Sequence, residues 1–189
     1  QHNRNVVWLP SCVDTEFFQP ADVAPSAGYR PLVVGWSASL PATQDGPDYK
    51  GYNTVIKPLM RLTSPDSIQW KLNTRSWVNP LTPAELRQWY RDLDLLVVAS
   101  ISEGASLTPL EAMACGVPVL ATSVGDLPQL IVTSVNGVLV GTWHDKVSAE
   151  RVVRTMADSF QWIGRNRPWL DIAGRAARRT MEAGRDWRQ

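Results

Sequence analysis

The chain has 189 residues, 44% of them hydrophobic, which suffices for the core of about one domain. A net charge of +1 gives no general attraction to nucleic acid, and no apolar run reaches the roughly 18 residues of a membrane span. Two distant cysteines are too few for a disulfide framework, so we expect a domain of a reducing compartment. No His/Cys cluster has the spacing of a structural zinc site, so we expect no such site.

Apolar runs separated by turn residues predict strands that alternate with helices. The predicted strands are Leu32–Gly35, Ile68–Leu72, Leu95–Ser100, Val117–Thr122 and Val138–Val140. The predicted helices are Thr54–Leu62, Pro83–Asp92, the helix of the motif described next, Asp126–Val132, Val147–Phe160 and Trp169–Ala183. Because such alternation favours right-handed crossovers, we predict an α/β fold with a parallel sheet.

The stretch from Ser102 to Val119 is the most informative, because two carboxylates flank a glycine turn that opens a helix. It follows the aliphatic run Leu93–Ser100, which is typical of a strand covered on both faces of a parallel sheet. The motif therefore lies at the carboxyl edge of the sheet, where ligands bind in open α/β folds. The helix signals are a cap at Ser106 or Thr108, Pro109 in the first turn and Gly116 as a left-handed stop.

The chemistry of this motif suits a ligand that carries both phosphate and hydroxyl groups. The amides of Ala105, Ser106 and Leu107 would be unpaired at the start of the helix, and such amides attract anions. Glu103 and Glu111 can point into one cleft, and since carboxylates repel phosphate, their useful partners are neutral sugar hydroxyls. Thr108 to Glu111 also fits a capping box, which would explain Glu111 without a ligand, and spacing alone does not separate these interpretations.

The run E-G-A-S-L-T-P-L-E-A-M-A-C-G-V-P-V-L-A-T resembles the E-x7-E donor-binding signature of retaining GT-B glycosyltransferases. Other segments follow in the order of that family. They are Leu9–Pro20, similar to its interdomain linker, Leu32–Trp36 with Tyr49–Gly51, similar to its first strand and helix, Pro83–Asp94, similar to the helix before the motif, and Val135–Val140, similar to the turn and strand after it.

This resemblance implies a Rossmann-like, doubly wound parallel sheet that forms one half of a GT-B fold. Residues 1–20 would be the end of the acceptor domain and the interdomain linker, and residues 21–189 the nucleotide-sugar-binding domain with its C-terminal helices. A second Rossmann-like domain does not fit in this length, and the chain starts without methionine. We therefore expect an excised fragment without its N-terminal acceptor domain, which binds donor but turns over little.

The resemblance also implies roles for individual residues. Glu103 would hold the transferred sugar and Glu111 the ribose hydroxyls, while Lys50 would bind the diphosphate and assist its departure, which makes Glu103 and Lys50 the catalytic pair. The nucleotide-sugar-binding residues would be Gly35, Lys50, Glu103, Gly104, Ala105, Ser106, Leu107 and Glu111. The implied reaction transfers a hexose to a saccharide or lipid-linked acceptor with no cofactor and no metal, in polysaccharide biosynthesis. The protein would be cytoplasmic or peripheral at the inner membrane face, with no nucleic acid partner.

Two departures from the family pattern keep open a degenerate, non-catalytic binding or scaffolding module. The arginine usual after the first-strand glycine is absent, since Trp36 follows Gly35, and the long segment Ser37–Asp48 has no basic residue. The segment Leu72–Trp77 stands where the family commonly has a glycine-rich turn, and its Arg75 would either compensate for the lost arginine or be an ordinary solvated loop residue.

Tryptophans and arginines in this chain each allow a structural and a functional interpretation. Trp36 and Trp77 would be buried or would stack on a base or sugar. The basic region after Glu150 would be a solvated helical face or a contact with anionic lipid. Its arginines are Arg151, Arg154, Arg165, Arg167, Arg175, Arg178, Arg179, Arg185 and Arg188.

Overall fold

The structure is a computed structural model that describes residues 10–21, 30–40, 46–74 and 80–188. Its strands are β1 (Leu32–Ser37), β2 (Ile68–Asn73), β3 (Leu95–Val98), β4 (Val119–Thr122) and β5 (Gly137–Val140). Its helices are α1 (Lys57–Leu62), preceded by a π-helical turn (Tyr52–Ile56), α2 (Pro83–Arg91), α3 (Leu107–Ala114), α4 (Leu127–Leu130), α5 (Lys146–Arg165) and α6 (Pro168–Gly184). The predicted order of strands and helices is confirmed, and most ends shift by only a few residues.

The five strands form one parallel sheet in the order β2-β1-β3-β4-β5. From β1 the chain winds outward to β2, then returns across β1 to β3 and continues in the other direction. The sheet is therefore doubly wound, as predicted. The connection after β1 runs to one side of the sheet and the connection after β3 runs to the other side. In open α/β folds, ligands bind in the crevice at the carboxyl ends of two neighbouring strands of this kind.

Two hydrophobic clusters cover the two faces of the sheet. Leu95 and Val97 of β3 belong to a cluster with α1 and α5, whereas Leu96 and Val98 belong to a cluster with α2, α3 and α6. Because successive strand residues point to opposite faces, a strand covered on both sides has no polar positions. This arrangement explains the uninterrupted aliphatic sequence of β3.

Helix α3 ends in the way that its sequence predicts. Cys115 follows its last residue and is buried, and Gly116 adopts the left-handed conformation with φ +76°. Helix α6 passes so close to this turn that a Cβ on Gly174 would lie 2.2 Å from the Gly116 carbonyl oxygen. The glycine at position 174 thus allows α6 to pack directly on the end of α3.

Thiol labelling should distinguish the two cysteines. Burial raises the pKa of the Cys115 thiol to about 12, whereas Cys12 is exposed. Since the thiolate is the reactive form, an alkylating reagent at pH 8 should modify Cys12 alone in the folded protein and both cysteines in guanidinium chloride. Mass spectrometry of the labelled protein gives the count, and a Cys12→Ser variant should stay unmodified until unfolded. Rapid labelling of Cys115 in that folded variant would contradict the buried position.

Residues 13–18 are bound to helix α6 and to the residues that follow it. Val13 pairs with Asp186 in an isolated bridge, and the Val13 amide donates to the Arg185 carbonyl at 2.8 Å. The Arg178 guanidinium donates through Nη1 to the carbonyls of Thr15 (2.8 Å), Phe18 (2.7 Å) and Ala114 (2.8 Å). Arg178 therefore joins α6, the end of α3 and residues 15–18.

Replacing Arg178 with methionine should lower the free energy of unfolding by about 2–3 kcal/mol, because three carbonyls lose a charged donor. Methionine keeps much of the apolar stem, so lost packing contributes little. The matched control is Arg179→Met, because Arg179 is exposed and has no partner among the described residues, and it should change stability by less than about 0.5 kcal/mol. Urea unfolding followed by tryptophan fluorescence measures both variants, and equal stabilities would contradict the structural role of Arg178.

The basic region after Glu150 has two kinds of arginine. Four arginines bind distant parts of the chain, which are Arg167, Arg178, Arg185 and Arg188. The exposed arginines are Arg151, Arg154, Arg165, Arg175 and Arg179. The solvated-face interpretation therefore applies to only part of the set. Within the described ranges, no helix combines the length and apolar character that a membrane span needs.

Candidate functional site

A cavity of about 300 Å³ opens at the carboxyl ends of β1 and β3, where the connections of the sheet diverge. Three segments supply most of its lining: the end of β1, the end of β3, and the loop that leads into α3. The lining residues are Trp36, Ser37, Ala38, Ser39, Lys50, Val97, Val98, Ala99, Ser100, Glu103, Ala105, Ser106, Leu107 and Thr108. The cavity thus lies at the edge of the sheet that the sequence indicates.

Lys50 is held at this edge by a tight turn. The Asp48 carboxylate accepts hydrogen bonds from the amides of Tyr52 and Thr54, both at 2.8 Å, and so caps the π-helical turn. Gly51 takes the left-handed conformation with φ +71°. The Tyr49 carbonyl accepts a hydrogen bond from the Ile101 amide at 3.0 Å. These contacts tie the turn to the end of β3, so the position of Lys50 is set by the backbone.

Glu103 and Lys50, the two predicted catalytic residues, are in direct contact. Lys50 Nζ lies 2.6 Å from Glu103 Oε1, although 53 residues separate them in sequence. The Ser100 hydroxyl donates to the same oxygen at 2.6 Å. The Glu103 side chain is only 8% exposed, against 37% for Lys50. A nearly buried carboxylate is therefore compensated by one cation and one neutral donor.

The loop into α3 presents unpaired amides to the cavity. Ser106 occupies the N-cap position but makes no hydrogen bond with its side chain, so the predicted side-chain cap is not formed there. The amides of Ala105, Ser106 and Leu107 have no acceptor among the described residues. Gly104 is exposed, with open space where a Cβ would stand. Since the start of a helix carries partial positive charge, these amides and Lys50 make this part of the cavity suitable for an anion.

Glu111 is placed differently from Glu103. Its Oε2 accepts a hydrogen bond from the buried Tyr90 hydroxyl of α2 at 2.7 Å, and it is not among the described residues that line the cavity. The capping-box interpretation is wrong, because Thr108 lies inside α3 and cannot be its N-cap. Glu111 therefore needs another explanation for its place in the sequence.

Comparisons with known proteins identify the family of this chain. A family profile described as "Glycosyl transferases group 1" matches residues 60–158, just over half of the chain. The chain belongs to this family.

Two curated relatives of this group 1 chain are D-inositol 3-phosphate glycosyltransferases. The protein of Segniliparus rotundus is 49% identical over 149 residues, which are 78% of this chain and 30% of that protein. The protein of Paenarthrobacter aurescens is 36% identical over 99 residues, which are 44% of this chain and 24% of that protein. The chain thus spans less than a third of the length of these two relatives.

Solved structures show the same fold as this group 1 chain. The C-terminal domain of a group 1 glycosyl transferase (LpcC) from Francisella tularensis superposes with a TM-score of 0.67 and 21% identity, over 93% of this chain and 99% of that one. Anabaena HepE in complex with UDP-glucose gives a TM-score of 0.66 and 16% identity, over 93% of this chain and 51% of that one. The chain therefore has the fold of a GT-B C-terminal domain.

Gly35 and Trp36 have packing roles in this domain. A Cβ on Gly35 would lie 2.2 Å from Leu93 Cδ1 and 2.9 Å from the Trp89 ring, so glycine lets β1 approach the end of α2, and it does not line the cavity. Trp36 is 2% exposed and packs against Tyr52 with ring centroids 5.0 Å apart, which confirms the burial interpretation. Arg75 and Trp77 lie outside the described residues.

Four residues in or beside the site were missed by sequence reasoning, and three of them bind site residues or hold them in place. Asp48 carries only a weak signal, since it lies six residues before the predicted helix start at Thr54, whereas an N-cap residue directly precedes its helix. Ser100 and Tyr90 carry none, because each was assigned to a strand or a helix whose partners depend on the tertiary fold. Their bonds to Glu103 and Glu111 nevertheless orient both carboxylates of the motif.

Asp126 is a fourth missed residue, next to the motif loop. Burial raises its pKa, while the Arg185 guanidinium, 3.7 Å away, lowers it. That distance is too long for a hydrogen bond, and neither carboxylate oxygen has a hydrogen-bond partner among the described residues. The preceding Gly125 packs so closely that a Cβ there would lie 2.7 Å from the Gly104 carbonyl oxygen. The loop between β4 and α4 thus supports the segment that carries Glu103.

Proposed function

We propose that this chain is the nucleotide-sugar-binding domain of a retaining glycosyltransferase that transfers a hexose to a saccharide or lipid-linked acceptor without a metal. The observation that carries the proposal is the cavity in which Lys50, the Glu103 carboxylate and the unpaired amides of the α3 loop come together. Family membership and the E-x7-E resemblance support the same assignment.

The diphosphate of the donor would bind at the amides of Ala105, Ser106 and Leu107, with Lys50 beside it. An ammonium group there stabilises the negative charge that develops as the nucleoside diphosphate leaves. Lys50 also compensates the charge of Glu103, which reduces the repulsion between that carboxylate and a phosphate. Glu103 can then accept a hydrogen bond from a sugar hydroxyl, because an ionised carboxylate is a strong acceptor.

The acceptor would bind to a part of the full-length enzyme that this chain does not span. D-inositol 3-phosphate, named for the relative from Segniliparus rotundus, is the first acceptor to try with the full-length enzyme. UDP-glucose, bound in the HepE structure, is the first donor to try.

We propose that Glu111 binds the ribose hydroxyls, with Tyr90 orienting it through the 2.7 Å bond. Glu111→Ala should then weaken nucleotide binding about 100-fold or more, because two charge-assisted hydrogen bonds are lost. If Glu111 only stabilises α2 against α3, the variant should lower the midpoint of thermal unfolding and leave nucleotide affinity unchanged. Tyr90→Phe is the comparison variant, since it removes the bond between the helices and keeps the carboxylate.

A degenerate binding or scaffolding module is the second candidate. One observation favours it: Lys50 is the single cation among the described residues that line the cavity, and it is paired with Glu103. A donor site for a diphosphate with two or more charges would ordinarily hold more positive charge.

Titration calorimetry with UDP, GDP, ADP and their hexose conjugates, in buffer with EDTA, decides between the two candidates. Saturable binding of one base, stronger for its sugar conjugate, is the result expected of a metal-independent donor domain. Heat no larger than that of dilution, up to millimolar ligand, would overturn the proposal in favour of the degenerate module. A Glu103→Gln variant serves as control: it should lose affinity for the conjugate and keep or gain affinity for the nucleoside diphosphate, because the Lys50 ammonium group is released from its ion pair.

A further inference from the structure

Ser100 is buried two residues beyond the end of β3, with 2% of its surface exposed. Its hydroxyl donates to Glu103 Oε1 at 2.6 Å, and its carbonyl accepts from the Thr122 hydroxyl at 2.7 Å. Thr122 is fully buried on the neighbouring strand β4. The Ser100 hydroxyl is therefore fixed relative to two central strands of the sheet.

The two donors to Glu103 leave one of its oxygens available. Lys50 and Ser100 both bind Oε1, and Oε2 has no hydrogen-bond partner among the described residues. A carboxylate held through one oxygen keeps its plane and still offers the other oxygen to a ligand. Glu103 thus faces the cavity as a pre-oriented acceptor, which lowers the entropy lost on binding.

Lys50 and Ser100 differ in how firmly they can hold this carboxylate. The Lys50 side chain is 37% exposed, long and charged, and a phosphate in the cavity competes with Glu103 for its ammonium group. The Ser100 hydroxyl is neutral and buried, so a phosphate does not draw it away. Ser100 is therefore the donor that keeps Glu103 in place when an anion binds beside it.

We propose that Ser100 is a positioning residue for Glu103 and sets the preference of this site for a nucleotide sugar over the bare nucleoside diphosphate. The assignment rests on the proposed function for its second half, because that half requires a sugar hydroxyl to bind Glu103. Its first half, the orientation of Glu103 by Ser100, stands on the contacts alone.

The binding test compares Ser100→Ala with the parent chain, using whichever of UDP, GDP and ADP binds most tightly and its hexose conjugate. Calorimetry should show an affinity for the conjugate that falls about tenfold, with affinity for the nucleoside diphosphate changed by less than about twofold. The matched control is Ser102→Ala, since Ser102 is exposed on the same loop and has no partner among the described residues. An equal loss for both ligands, or no loss, would overturn the role of Ser100 in sugar preference.

A structural test separates this inference from the proposed function. Crystal structures of Lys50→Met and of Lys50→Met with Ser100→Ala need no ligand. Glu103 should stay on Ser100 in the first variant and leave its place in the second. If the carboxylate abandons Ser100 in the first variant, or keeps its place in the second, Ser100 does not position it. A parent chain that binds no nucleotide would instead contradict the proposed function, and these two structures would still decide the role of Ser100.

Discussion

Replacing Lys50 with methionine should weaken binding of nucleoside diphosphates about 10-fold to 100-fold, the range that corresponds to losing one charged hydrogen-bond partner. Lys50 is the cation that lines the same cavity as the unpaired amides of the α3 loop, and methionine preserves the apolar stem without the charge. Calorimetric titration of the folded variant measures the loss. The free energy of unfolding should fall by about 1–3 kcal/mol, because the Glu103 carboxylate is only 8% exposed and keeps Ser100 as its donor after the cation is removed.

Lys57→Met is the control for this prediction. Lys57 lies seven residues further on, exposed at the start of α1, with Nζ 2.8 Å from the Asn53 side chain and 5.0 Å from the centroid of the Tyr52 ring. The Lys57→Met substitution removes one positive charge from the same region, but Lys57 does not line the cavity, so nucleotide affinity should stay at the parent value. Equal affinities for Lys50→Met and the parent would show that Lys50 is not a phosphate ligand.

Replacing Gly51 with alanine should lower the free energy of unfolding by about 2–4 kcal/mol. The left-handed conformation with φ +71° costs a residue with a Cβ about 1–2 kcal/mol, and that Cβ would also lie 2.3 Å from the Ala99 carbonyl oxygen. This carbonyl already accepts a hydrogen bond from the buried Trp143 indole at 2.9 Å, so it cannot move aside without breaking another contact. Urea unfolding followed by tryptophan fluorescence measures the difference.

Gly104→Ala is the matched control for Gly51→Ala. Gly104 belongs to the motif loop, and a Cβ there would meet no atom within 4 Å. Its replacement should change stability by less than about 0.5 kcal/mol. If both variants unfold at the same urea concentration, the close packing of Gly51 on the end of β3 is not present in the protein. Gly51→Ala should also weaken nucleotide binding, because the turn that it distorts places Lys50.

Both predictions concern the contact between the turn that carries Lys50 and the end of β3. The turn from Asp48 to Gly51 and the end of β3 are tied by the Tyr49 carbonyl, the Gly51 contact and the Lys50–Glu103 pair. The first tie is a backbone hydrogen bond, the second is steric and the third is ionic. Lys50 follows β1 and Glu103 follows β3, so these three contacts together hold the cation and the carboxylate in their relative positions.

Local sequence patterns predicted the secondary structure well, because hydrophobic periodicity and the residues that start or end helices and turns act over only a few positions. The aliphatic run of β3 required burial on both faces, and Gly116 required a left-handed turn at the end of α3. The motif after β3 placed Glu103 and the unpaired amides at the carboxyl edge of the sheet. These features depend on the chain's own neighbours, so a single sequence contains the information for them.

Contacts between distant segments were decided only by the tertiary structure. The strand order brings β1 beside β3, and only this neighbourhood places Lys50 against Glu103. Glu111 turned out to bind Tyr90 of another helix, and Arg178 to bind the carbonyls of Thr15 and Phe18 rather than solvent. The sequence by itself determined which elements form and where the motif lies along them. The partner of each polar side chain was settled by the packing of helices on the sheet, because burial makes a side chain bind whatever groups that packing brings within reach.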